Sequence, residues 1–115
     1  VTDLTDNRLV QAFAQLRAAG AKTLAPFLTA GYPDLDATAA LLADWENRGV
    51  RVVELGFPFS DPIADGPVIQ ASYTEALASG ITVDGIFEMV RGYRAAGGQL
   101  ALIAMVSYSI VYRRG

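Results

Sequence analysis

Cysteine and histidine are both absent from these 115 residues, and Lys22 is the single lysine. Without cysteine there is no disulfide framework, no thiolate metal site and no thiol nucleophile. Without histidine the commonest general base and the commonest metal ligand are missing too. Acid–base chemistry therefore falls to carboxylates, with tyrosine and Lys22 in reserve, and one lysine leaves little room for Schiff-base chemistry. No metal centre is expected, because the aspartates follow no cation-loop pattern. No apolar run approaches the roughly 18 residues of a membrane span, and the opening VTDLTDNRLV is too polar for a signal peptide. Nine basic side chains scattered among twelve acidic ones, with a net charge of −3, supply no basic stripe for nucleic acid. A soluble, cytoplasmic protein is the default expectation.

What is present is a hydrophobic fraction of 52%, enough for one domain with a real core. Leu9, Phe13 and Leu16 mark the apolar face of a helix over 4–19 that ends at Gly20. The run TLAPFLT (23–29) predicts a buried strand, weakened by Pro26, which removes a ladder donor. GYPD then supplies a turn and an N-cap in Asp34, and Leu35, Ala39, Leu42 and Trp45 carry a helix to Gly49. The β-branched VRVVEL (50–55) predicts a second strand. A ten-residue loop, GFPFSDPIAD, separates it from a helix that opens at Gly66-Pro67 and closes near Ser79-Gly80. Thr82 caps a further helix with Val83, Ile86, Phe87 and Val90 on its buried face, ended by Gly97-Gly98. The unbroken LALIAMV (100–106) fits a strand buried on both faces of a parallel sheet. The order is βαβαβ, hence an α/β fold with right-handed crossovers, either an open doubly wound sheet or part of a (β/α)₈ barrel. In both, chemistry gathers at the carboxyl ends of the strands.

The segment ELGFPFSDPIADGP (54–67) places Glu54 at a strand end and Asp61 and Asp65 in the loop after it. A carboxylate inside a β-branched strand is costly to ionise unless something compensates it. If the face shared by Val52, Glu54 and Gly56 points into a barrel, desolvation raises the Glu54 pKa and suits it to accept and donate a proton near neutrality. Taken singly, Glu54 also fits a solvent-facing strand end and Asp65 a helix N-cap.

PFLTAGYPD, VVELGFPFSDPIADGPVIQAS and ALASGIT, in this order and spacing, closely resemble the α chain of tryptophan synthase, over residues 13–115. The resemblance implies a (β/α)₈ barrel that cleaves indole-3-glycerol phosphate by a retro-aldol reaction to indole and glyceraldehyde 3-phosphate. It carries no cofactor in this chain and implies a β-chain partner in an α₂β₂ assembly, with pyridoxal phosphate on that partner. Glu54 then matches the general acid and base, and Asp65 the aspartate that binds the indole N–H and stabilises positive charge on the ring. Phe27 and Met105 match residues lining the indole pocket, and Pro58 and Asp61 match the loop that meets the β chain.

Two departures stand out. Ser107 and Ser109 occupy positions where the family usually has a substrate-facing tyrosine and an asparagine, leaving Tyr108 as a possible substitute. The chain also has three strands, whereas a (β/α)₈ barrel needs roughly 250 residues and forms its phosphate site after strands 7 and 8. The expectation is therefore a partial barrel domain over 1–115, lacking the phosphate grip and with an apolar open edge at 100–106. The competing reading is a non-catalytic module that only docks on a β chain. A different phosphate-binding barrel sharing the fold alone is the third.

Overall fold

The computed structural model describes residues 4–115; the first three residues of the expected domain lie outside it. Asn7 caps the first helix, α1 (Arg8–Ala18), which starts later than the expected residue 4, because its side chain accepts hydrogen bonds from the Leu9 and Val10 amides. A 3-10 turn over Leu4–Asp6 precedes it. The expected apolar face is rotated: Ala12 and Leu16 are buried, while Phe13 is 45% exposed. The small Ala12 lets the helix axis approach the sheet closely, packing on Val52 and Ala101.

Strand β1 is Phe27–Thr29, shorter than the run 23–29 suggested. Pro26 has no amide to donate, although its carbonyl still accepts from Glu54 N at 2.9 Å, and Leu24 stands 82% exposed. After the turn containing the cis Tyr32–Pro33 peptide, Asp34 caps α2 (Leu35–Asn47) by accepting from the Ala37 amide. Thr38, fully buried, donates to the Asp34 carbonyl and accepts from Gly31 N, so the turn and the first helical step are tied together. Strand β2 is Val52–Gly56. Helix α3 (Pro67–Ala78) follows the long loop, with proline at its first turn as expected. Thr82 caps α4 (Val83–Ala95) through the Gly85 amide. Ile86 is buried there, but Phe87 is 45% exposed and meets Phe57 edge-on at 5.7 Å. Tyr93 takes the remaining place in the core.

Strand β3 (Ala101–Met105) completes a parallel sheet in the order β1-β2-β3. The register aligns Phe27, Glu54 and Ile103, and one step on Leu28, Leu55 and Ala104. Alternation divides the sheet cleanly. Leu28, Ala30, Val53, Leu55 and Phe57 face α2 and α4, where Leu42, Ile86, Tyr93 and Leu100 fill the main core. On the other face Val52 and Ala101 are closed off by α1, leaving Phe27, Glu54, Ile103 and then Thr29, Gly56, Met105 as successive layers toward the carboxyl end. An eighth helix or strand, α5 (Tyr108–Arg114), had no counterpart in the sequence reading. Ser107 caps it, Ile110 packs against the main core and Arg114 bonds Asp84 at 2.5 Å.

Candidate active site

The carboxyl ends of β2 and β3, the loop over 57–66 and the start of α5 enclose a cleft of about 400 Å³. Its wall includes Phe57, Phe59, Asp61, Asp65, Tyr73, Met105, Ser107 and Ser109. The loop is held by backbone and side chain together. Asp65 N donates to the Pro62 carbonyl at 3.1 Å, and the Gln70 amide of α3 donates to the carbonyls of Pro62 and Asp65 at 3.1 and 2.7 Å. Gln70 was not singled out from the sequence, yet it fixes the segment that presents Asp65. Its signal was its place one turn inside a helix that follows a carboxylate-rich loop.

Asp65 is half-buried, and its carboxylate is not a cap: the N-cap of α3 is Gly66, with no side-chain hydrogen bond. The N-cap reading of Asp65 therefore fails. Neither Asp65 nor Glu54 makes a side-chain hydrogen bond or ion pair among the described residues; the ion pairs there are Arg48–Asp44, Arg91–Glu88 and Arg114–Asp84. Glu54 is half-buried on the face below the cleft, between Phe27 and Ile103 in register, so it is not a solvent-facing strand end either.

Phe27 reaches across to β2. A Cβ built on Gly56 would lie 2.5 Å from Phe27 Cζ and 2.9 Å from the Tyr73 hydroxyl, so Gly56 is bare because a ring and a phenol already occupy that space. Helix α3 is pinned over β1 at the same level by the Thr29 and Ser72 hydroxyls, 2.7 Å apart. Met105 lies in the cleft wall. The two loop residues diverge: Asp61 is exposed at the cleft, whereas Pro58 is buried and faces a separate groove with Ile81 and Ile86. Ser107 and Ser109 line the cleft, but Tyr108 does not take their place there, being 77% exposed beside Tyr112 on the outer side of α5. Tyr73 is the cleft residue that sequence reasoning missed. It is buried, and desolvation together with the Asp65 charge pushes its phenol up to about 12. No cluster of three or more potential metal ligands occurs among the described residues.

The family model for the tryptophan synthase alpha chain matches residues 13–115. Tryptophan synthase alpha chains of Clostridium kluyveri and Laribacter hongkongensis are 40% and 46% identical over 109 and 99 residues, or 95% and 86% of this chain. The chain spans only 41% and 38% of the length of those two relatives. The crystal structure of tryptophan synthase subunit alpha from Legionella pneumophila superposes with a TM-score of 0.90 at 38% identity, covering 95% of this chain and 42% of that one. The parallel βαβαβ order, the loop with its uncommitted carboxylates and these matches agree: the chain belongs to the tryptophan synthase alpha chain family and forms the N-terminal part of its (β/α)₈ barrel.

Proposed function

We propose that this segment supplies the acid–base carboxylates of an α chain that serves tryptophan biosynthesis as a lyase, cleaving indole-3-glycerol phosphate to indole and glyceraldehyde 3-phosphate. The observation that carries the reading is the pair Glu54 and Asp65: both half-buried, both with carboxylates that make no hydrogen bond or ion pair among the described residues, at the carboxyl end of one strand and in the loop after it. A half-buried carboxylate with no partner is expensive to keep for structure alone.

In the proposed reaction Glu54 delivers a proton to C3 of the indole ring. The resulting cation is stabilised by Asp65, which accepts the ring N–H. The hydroxyl on the carbon next to the ring then loses its proton to a carboxylate, the C–C bond breaks, its electron pair returns to the ring, and the aldehyde departs. Two carboxylates suffice for every proton moved, which fits a chain without histidine or cysteine. Phe27 and Met105 are proposed to hold the ring. Asp61, with Ile63 exposed by 84% and Val68 by 82% nearby, is proposed to face a β chain in an α₂β₂ assembly in the cytoplasm, with Pro58 supporting that loop from beneath.

The test is steady-state indole release by a complete α chain carrying this segment. Glu54→Gln is expected to lower kcat by about 10²–10⁴-fold, and Asp65→Asn by about 10²–10³-fold. Normal indole release by Glu54→Gln overturns the assignment. Stimulation of β-chain turnover without any cleavage of indole-3-glycerol phosphate would favour the docking module instead.

A further inference from the structure

Tyr73 sits on α3 with 3% of its surface exposed. Its hydroxyl makes no hydrogen bond among the described residues, yet none of their side-chain oxygens or nitrogens is both sealed off and unpartnered. The hydroxyl therefore emerges into the cleft that Tyr73 lines with Asp65 and Met105. Its 2.9 Å distance from a Cβ built on Gly56 puts it over the end of β2, one same-face step beyond Glu54. Tyr93 provides the contrast. That phenol is also buried, but its hydroxyl donates to Glu46 and accepts from the Leu100 amide, as a structural buried phenol should. Tyr73 has the burial without the partner.

We propose that Tyr73 donates a hydrogen bond to a hydroxyl oxygen on the aliphatic chain of the bound ligand, and so discriminates hydroxylated from deoxygenated ligands. The inference rests on the function proposed above. A phenol that stays protonated at neutral pH is a donor and needs an acceptor. The N–H of an indole ring offers no lone pair, and a phosphate dianion so close to Glu54 and Asp65 would be repelled by both carboxylates. Chain hydroxyls are the acceptors that remain. The Phe27 ring crowds the same point over Gly56, beside the phenol.

The test measures binding in a complete α chain carrying this segment, with Glu54→Gln present to stop turnover. Titration calorimetry would compare indole-3-glycerol phosphate with 3-(indol-3-yl)propyl phosphate, which lacks both chain hydroxyls. Adding Tyr73→Phe is expected to weaken the hydroxylated ligand about five- to tenfold and to leave the other within about twofold. Equal weakening of both ligands, or of neither, overturns the proposal. The unliganded melting temperature of Tyr73→Phe is expected to match that of its parent, since the lost hydroxyl had no protein partner; a clear drop would make Tyr73 structural and overturn it as well. If neither ligand binds with Tyr73 intact, the proposed function itself fails and takes this inference with it.

Discussion

Gly56 is the residue on which the site's geometry turns, because Phe27 and Tyr73 already fill the volume its side chain would need. Gly56→Ala forces the ring, the phenol or both to move. We expect a cost of about 1–3 kcal/mol in stability, with a larger proportional loss in ligand affinity, measured by denaturant unfolding and calorimetry on the same sample. The conflict was not legible in the sequence, where Gly56 reads only as a strand terminator. Glu54 and Asp65 stood out as candidates through the family resemblance, since taken singly each also fits a commonplace strand end or helix start. Tyr73 did not: a tyrosine on a helix has no sequence signature that separates core from cleft. Tyr93 illustrates the structural case. Its hydroxyl links Glu46 of α2 to the start of β3, where Gln99 N also donates to Glu46 at 3.0 Å. Tyr93→Phe is expected to cost about 1–3 kcal/mol, since it leaves the Leu100 amide without its acceptor.

Elements were readable where periodicity and caps agreed. Asp34, Thr82 and Pro67 start helices as their chemistry requires, and the β-branched and apolar runs became β2 and β3 with their ends shifted by a residue or two. The failures have local causes. Pro26 shortened β1; the cap at Asn7 split the first helix from a 3-10 turn; and α5 was hidden because SYSIVYRR mixes polar and β-branched residues with only Ile110 turned to the core. The loop over 57–66 is the element that the proposed function depends on, and Gln70 is its fastening. Gln70→Ala is expected to raise amide hydrogen exchange across the loop while costing only about 1 kcal/mol of global stability, with exchange elsewhere unchanged. Uniform exchange rates across the loop in both proteins would remove Gln70 from that role.

For the whole molecule, pH acts from both sides, at the Glu46–Tyr93 junction and, on the alkaline side, at Tyr73 as well. The Tyr93 hydroxyl, and then the Gln99 amide, hold the Glu46 carboxyl below its ordinary value. Its stabilising contribution is therefore complete above the unfolded carboxylate value and is lost as pH falls through the lower folded one. Burial pushes Tyr73 and Tyr93 up to about 12, so their contribution is complete below the ordinary phenol value near 10 and is lost as pH rises toward 12. Glu46→Gln should flatten the acid limb of a stability–pH curve and also reduce the Tyr93 part of the alkaline limb, because the Glu46 carboxylate, after burial, helps hold that phenol up. The sheet order also leaves the outer edges of β1 and β3 without a partner strand among the described residues. That is the arrangement a barrel closes by adding strands, and the 115-residue chain alone is expected to aggregate rather than melt cooperatively. A sharp melt of a soluble monomer would contradict that expectation.

We propose that this segment brings working catalytic carboxylates to an α-chain barrel. The most direct test places these residues in the Laribacter hongkongensis α chain, in place of the segment they align with, and measures indole release from indole-3-glycerol phosphate. The predicted result is a folded chimera that releases indole at least about a hundredfold faster than its own Glu54→Gln variant. A folded chimera whose rate is the same with either residue at position 54 would contradict it.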